Sequence, residues 1–317
     1  MRDLPPQLDV AVIVPCHNEA AAIGRVVADL HASLPGATVY VYDNRSTDRT
    51  GEIAAGAGAV VRSEPRKGKG NVVRRAFADV DADVYVLIDG DDTYDAGAAG
   101  TLVAALLEGP YDQVVGVRQE VHETAYRRGH ALGNRMLSGV VATVFGREVT
   151  DMLSGYRVFS RRFVKSFPAL SKEFEIETEL TVHAINLRLP QTELPVAFKD
   201  RPAGGESKLR TYRDGTRILW WILRLTRYER PLPFFGALAG LFLLMAFLLG
   251  LPVVLEYAET GLVPRFPTAI LASSLGVISV LLVTIGTVLD AVKRGRDEAA
   301  RLAYLRHPAP APAGPVP

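Results

Sequence analysis

The chain is poor in the residues that would place it in several common classes. It has one cysteine, Cys16, in 317 residues, so an intramolecular disulfide is impossible, and a reducing compartment suits it. Charge of one sign is also missing. Lys and Arg number 36 against 35 Asp and Glu, a net charge of +1, so nothing in the balance favours nucleic acid as a partner. No secretory leader is visible in the short, polar, proline-bearing stretch Met1 to Asp9. Neither a Gly-x-Gly-x-x-Gly fingerprint nor a Walker loop follows the first apolar strand. Pro15-Cys16-His17-Asn18-Glu19 stands there instead, which argues against hydride-transfer and kinase-like chemistry.

What the chain has is an uneven spread of apolar residues. Phe234 to Leu255 and Thr268 to Leu289 each carry no charge, and about 20 such residues cross the hydrocarbon of a bilayer. Arg224, Arg227 and Arg230 precede the first run, and Lys293, Arg294 and Arg296 follow the second. By the positive-inside rule both outer flanks are cytoplasmic and the two runs form a hairpin. Thr211 to Arg230 mixes arginines with Trp220 and Trp221, as expected of an amphipathic helix at the headgroup boundary. From His307 the tail is rich in proline and reads as disordered. The expected divisions are a catalytic domain over 1–210, a juxtamembrane helix over 211–231, two transmembrane helices within 232–290 (about 234–255 and 268–289) and a cytoplasmic tail over 291–317.

The first 200 residues alternate short apolar strands with helices. Strands are expected at Val10 to Val14, Thr38 to Tyr42, Ala59 to Arg62 and Asp83 to Ile88. Helices are expected at Ala20 to Leu34, Thr50 to Ala57 and Gly68 to Val80. This pattern predicts an α/β fold with a mostly parallel, doubly wound sheet. Polar residues gather where strands end: Asn18 and Glu19 after the first, Asp43 after the second, and Asp89-Gly90-Asp91 after the fourth. Open α/β sheets bind ligands at that edge. A buried strand that runs into Asp-x-Asp supplies hard oxygens for Mg²⁺ or Mn²⁺, which favour one or two carboxylates together with substrate phosphates. A diphosphate-bearing nucleotide is the expected occupant.

Taken in order, Pro15-Cys16-His17-Asn18-Glu19, Asp43 with Ser46-Thr47-Asp48, Gly68-Lys69-Gly70, Asp89-Gly90-Asp91 and Ser154-Gly155-Tyr156-Arg157 resemble the inverting family 2 glycosyltransferases of GT-A (Rossmann-like) fold. More narrowly they resemble the polyprenyl-phosphate hexose synthases, such as the dolichol-phosphate mannose and undecaprenyl-phosphate glucose enzymes. The resemblance implies transfer of a hexose from a UDP- or GDP-sugar to polyprenyl phosphate (undecaprenyl phosphate in a bacterium), metal-dependent and inverting, at the inner or plasma membrane, with the catalytic domain and both termini cytoplasmic. It implies that Pro15, Asn18, Glu19, Asp43, Lys69, Asp89 and Gly90 bind the nucleotide sugar. Asp89 and Asp91 would hold Mg²⁺ or Mn²⁺, and Glu177 and Glu179 would lie near sugar or acceptor. Cationic and hydroxyl side chains suit the acceptor phosphate: Arg118, Arg128, Ser154, Arg201, Ser207 and Lys208. The family often carries Asp-Asp-Gly-Ser after its second strand. Here Tyr42 stands for one acid and Arg45 for the glycine, which leaves the nucleobase open.

A phosphate monoester has a second pKa of about 6, so the acceptor is mostly a dianion at neutral pH and needs no strong general base. Two other readings remain open: a family 2 transferase acting on a sugar hydroxyl in polysaccharide synthesis, and a non-catalytic membrane partner that binds nucleotide sugar. The Gln-x-x-Arg-Trp motif of processive enzymes is absent. A homo-oligomer is compatible with all three.

Overall fold

In this computed structural model residues 8–120, 151–170, 176–199 and 226–310 are described. They divide into two compact units, one formed by 1–208 with 299–317, the other by 209–298.

The first unit is built on a seven-stranded sheet of order β3-β2-β1-β4-β6-β5-β7. Its strands are β1 (Val10–Cys16), β2 (Thr38–Asp43), β3 (Val60–Ser63), β4 (Val84–Leu87), β5 (Gln113–Glu120), β6 (Arg157–Ser160) and β7 (Gln191–Phe198). The helices are α1 (Ile23–Ser33), α2 (Thr50–Gly56), α3 (Lys69–Asp79), α4 (Ala99–Glu108), α5 (Arg161–Ser166) and α6, described from Ile176 to Asn186. β1 to β4 pair in parallel, as the alternating pattern predicts. The period-2 alternation of strand side chains sorts the core into two layers. Val10, Val12 and Val14 of β1 pack with Val26 and Leu30 of α1 and Leu102 and Leu106 of α4. Ala11 and Ile13 pack on the other face with Val72 and Phe77 of α3, Phe163 of α5 and Leu180 of α6. Apolar runs buried on both faces are the mark of a doubly wound sheet.

The sheet is mixed beyond β4, because β6 runs antiparallel to both β4 and β5. This reversal matters for the site. Leu87 at the end of β4 faces Arg157 at the start of β6, so the residues before Arg157 join the same edge as the residues after Leu87. β5 and β7 pair in parallel, and both end on that edge, near Arg118 and Lys199.

The second unit contains α7 (Pro231–Thr260) and the first part of α8 (Phe266–Leu305). Each is long and apolar enough to cross a membrane. Gly261, in the left-handed region at φ 68°, ends α7 where an L side chain would be strained. The helices approach closely through small residues: Ser279 Oγ donates to the Ala239 carbonyl at 2.9 Å, and Gly250 lies against Ala272. Leu243, Leu244, Phe247, Leu248, Val280 and Leu281 face outward and are exposed. The expected amphipathic helix over 211–231 lies mostly outside the described residues.

α8 runs well past its apolar stretch, to a length of about 60 Å. Its last turn belongs to the sheet unit. There the Tyr304 hydroxyl donates to Asp112 Oδ2 at 2.9 Å, and the Arg162 guanidinium lies 4.7 Å from the Tyr304 ring centre. Asp112 is fully buried. Its carboxylate also accepts from Ser160 Oγ (2.6 Å) and both prongs of Arg162 (2.5 and 2.8 Å).

Candidate active site

Three loops meet at the carboxyl edge of β1, β2 and β3, and one buried residue ties them together through its backbone and its side chain. Asn44 follows directly on β2. Its backbone N–H donates to the Cys16 carbonyl at 2.8 Å, and its own carbonyl accepts from His17 Nδ1 at 2.9 Å. Its amide nitrogen donates to the carbonyls of Glu64 (2.9 Å) and Arg66 (2.7 Å), and its amide oxygen accepts from the Gly68 N–H (2.7 Å). An asparagine is needed, because the site calls for donors and an acceptor on one short side chain. Asn18, at φ 59°, accepts from the Thr47 N–H at 2.7 Å, and its own N–H donates to Ser46 Oγ at 3.0 Å. Asp43 accepts from the Ser46 N–H at 2.9 Å across a turn in which Arg45 has φ 64°. That value agrees with a glycine being usual there. Tyr42 is fully buried in the layer beneath α3, and the buried Asn44 stands between Asp43 and Arg45.

β4 delivers Asp89, Gly90 and Asp91 to this edge. A Cβ on Gly90 would collide with Cys16 Sγ and crowd Val14 and Ile23, so the glycine lets the acidic turn lie flat on the first strand. Asp91 is buried and accepts from the Thr93 hydroxyl at 2.6 Å and the Thr93 N–H at 3.2 Å. Burial raises the Cys16 thiol well above its ordinary value, and Glu19, Asp89, Asp43 and Asp91 all add to that rise. Four carboxylates thus gather around this edge.

The counter-charge is Lys69, at the first turn of α3. Its ammonium bridges the Asp89 carboxylate and Glu177 Oε1, the latter at 2.6 Å. Burial alone would lower the Lys69 ammonium; the two carboxylates overturn this and hold it raised. Asp89 is raised by burial, opposed by Lys69. Gly155 closes the far side: a Cβ there would overlap both the Asp89 carboxylate and the Lys69 ammonium. The Gly155 N–H donates to the Tyr94 hydroxyl at 2.9 Å. Arg157 anchors this turn from beneath. It is fully buried and donates to the carbonyls of Ser154 (2.9 Å) and Met152 (2.6 Å) and to Thr181 Oγ1 of α6 (2.9 Å). Burial lowers it to about 10.

Similarity to known proteins decides what this edge belongs to. The model of glycosyl transferase family 2 matches residues 11–167. Glycosyltransferase AglJ of Haloferax volcanii is 35% identical over 236 residues, covering 74% of this chain and 77% of that one. The chain belongs to glycosyltransferase family 2. A dolichyl-phosphate hexose transferase of Haloferax volcanii is 29% identical over 222 residues, 70% of this chain and 96% of that protein. Among solved structures, glucosyl-3-phosphoglycerate synthase from Mycobacterium tuberculosis, in complex with Mn²⁺, UDP-glucose and phosphoglyceric acid, has the same sheet fold. Its TM-score is 0.54 at 24% identity, and the match covers 68% of this chain and 80% of that one.

In this family-2 chain the structure gathers Pro15, Asn18, Glu19, Asp43, Lys69, Asp89, Gly90 and Asp91 at one edge, together with Glu177. Other expected residues are engaged differently. Arg118 forms a two-pronged pair with Asp151 (2.7 Å on each prong) and lies 5.5 Å from the Phe198 ring centre. The Ser154 hydroxyl is buried and donates to the Gly116 carbonyl. Glu179 accepts from the Leu170 N–H at 2.8 Å. Arg128, Arg201, Ser207 and Lys208 lie outside the described residues. Sequence reading passed over Asn44, Tyr94, Asp151 and Arg157 as site-building residues. Only Arg157 had a signal there, its place in Ser154-Gly155-Tyr156-Arg157.

The donor set suits a hard divalent cation. Asp89 and Asp91 offer carboxylate oxygens from one turn. Among the described residues no group of three or more His, Cys, Asp or Glu side chains surrounds a common point. Two carboxylates completed by substrate phosphates are an arrangement that Mg²⁺ or Mn²⁺ accepts.

Proposed function

We propose that this family-2 glycosyltransferase moves a hexose from a nucleoside-diphosphate sugar, UDP- or GDP-linked, to polyprenyl phosphate, with inversion at the anomeric carbon. In a bacterium the lipid would be undecaprenyl phosphate. The observation that carries the reading is the acidic edge itself: Asp89 and Asp91 stand beside the loops of Asn18, Glu19 and Asp43, in a chain that also has two membrane-length apolar helices.

In this reading Pro15, Asn18, Glu19 and Asp43 line the base and ribose. Asp89 and Asp91 would hold Mg²⁺ or Mn²⁺, which when bound supplies Lewis-acid stabilisation of the leaving diphosphate. That the solved mycobacterial neighbour was crystallised with Mn²⁺ and UDP-glucose supports the donor assignment. In the cation-free chain Lys69 pairs with the Asp89 carboxylate, and Gly155 leaves room for that pair. Chemistry at the acceptor supports the same reading. Glu177 is buried against Lys69 and Glu179 is bound to a backbone N–H, so neither is arranged as a strong base. A lipid phosphate dianion requires none.

Acceptor binding is assigned to Arg118, Arg128, Ser154, Arg201, Ser207 and Lys208. The chain enters 121–150 and 200–225, which carry four of these, from the edge-side ends of β5 and β7. The Asp151 partner of Arg118 implies that acceptor phosphate shares or displaces that pair. The dolichyl-phosphate hexose transferase among the relatives supports a lipid phosphate acceptor. Basic flanks support a cytoplasmic side for both termini and the catalytic unit, at the inner or plasma membrane.

The test is an acceptor panel. Full-length protein in nanodiscs receives labelled UDP- and GDP-hexoses with polyprenyl phosphate, 3-phosphoglycerate or a sugar alcohol. Label extracted with the lipid is expected; transfer confined to a soluble acceptor would overturn the acceptor assignment.

A further inference from the structure

Lys69 is an unusual cation for a metal-holding edge, because it already occupies one of the carboxylates assigned to the metal. Its side chain is 7% exposed and that of Glu177 is 6%, whereas that of Asp89 is 30% exposed. Asp89 is thus the member of the trio that an ion arriving from solvent can reach. Glu177 Oε1 accepts from Lys69, but Glu177 Oε2 is buried and has no hydrogen-bond partner among the described residues. An unmet carboxylate oxygen beside a shared ammonium is costly in a dry site. It also marks a place where that ammonium can go.

We propose that Lys69 is a resident counter-ion of Asp89 that is handed over wholly to Glu177 when Asp89 takes up a divalent cation, so that Glu177 sets the affinity of the edge for that cation. This rests on the assignment of Asp89 and Asp91 as cation ligands made above. In the cation-free chain the ammonium is divided between Asp89 and Glu177 Oε1. A divalent ion on Asp89 would face a like charge at contact range, a repulsion that a half-buried site screens poorly. The ammonium relieves this by turning about its flexible stem onto both Glu177 oxygens. Its backbone stays fixed, since the Gly68 N–H just before it is held by Asn44. No proton is transferred and no bond is broken; only the pairing of one ammonium changes.

The test measures Mn²⁺ binding to the full-length protein in detergent, without donor or acceptor, from the electron paramagnetic resonance signal of free Mn²⁺. Glu177→Gln is expected to weaken Mn²⁺ binding about tenfold, because a neutral amide does not draw the ammonium from Asp89. Glu177→Asp keeps the charge but withdraws its oxygens by one methylene, and it is expected to weaken binding as well. Unchanged affinity in Glu177→Asp would reduce Glu177 to a simple charge effect and overturn the handover. If the variants do not fold, a structure of the unmodified chain with Mn²⁺ decides: Lys69 Nζ on both Glu177 oxygens supports the proposal, and Nζ still on Asp89 refutes it. An unmodified chain that binds no Mn²⁺ either alone or with a nucleoside diphosphate present would refute the cation assignment as well, which separates the two failures.

Discussion

At the residue scale, the parts of the site differ in how local their logic is. Asp89-Gly90-Asp91 is legible in the sequence because a four-residue apolar run leads into it, and two carboxylates around a glycine have no ready place in a core. Asn44 is not legible. Its partners Glu64, Arg66 and Gly68 lie 20 or more residues away and meet it only once β2 and β3 pair. Asn44→Asp turns a carboxylate toward two carbonyls. It is expected to cost roughly 3 kcal/mol of stability and to weaken nucleotide binding, readable as a lowered Tm and a raised Kd for the nucleoside diphosphate. Asp48 gives a pH test. Slight burial raises its carboxyl, but donors from Thr50 and the Ala20 N–H outweigh this and hold it below the usual value. A depressed carboxyl stabilises above its unfolded value and ceases to as pH falls through its folded one. The Tm difference between the unmodified chain and Asp48→Asn should therefore be present at pH 7 and close below about pH 4.

At the scale of elements, β1, β2 and β4 were readable as apolar runs with polar ends, and each falls within a residue or two of expectation. The antiparallel β6 was not, although its lead-in motif was noticed. Four residues, Arg-Val-Phe-Ser, carry no period that reports direction, and direction is settled by pairing with β4 and β5. That reversal puts Gly155 against Asp89 and Lys69. The contact between β1 and the acidic turn can be tested directly. Gly90→Ala adds a methyl where Cys16 Sγ already sits, and overpacking of this kind costs about 1–3 kcal/mol. Removing the thiol with Cys16→Ala is expected to recover much of that loss, so the double variant should melt above the value additivity gives. Strict additivity would show that the two residues do not press on one another.

For the whole molecule, the apolar runs announced two helices long and apolar enough to cross a membrane, since length and absence of charge suffice to mark them. The final turn of α8 escaped notice because its sequence is charged and unremarkable; its role depends on Asp112, almost 200 residues earlier. Tyr304→Phe removes one donor from that buried carboxylate and is expected to lower the stability of the sheet unit by roughly 1–2 kcal/mol, seen as a lower Tm. The hairpin assignment places Gly261 to Arg265 outside and both termini inside. A cysteine at Leu262 should then react with an impermeant maleimide on intact cells, in a Cys16→Ala background. Labelling only after lysis would reverse the topology.

The claim that most needs proof is that the acidic edge drives sugar onto a lipid phosphate. The direct measurement is organic-phase label formed from nucleoside-diphosphate hexose and polyprenyl phosphate in nanodiscs, for the unmodified chain and for Asp91→Asn, each with Mn²⁺ and with chelator. Labelled lipid from the unmodified chain with Mn²⁺, and at least a hundredfold less from the other three conditions, is the expected result. Equal label from Asp91→Asn, or from the chelated enzyme, would contradict it.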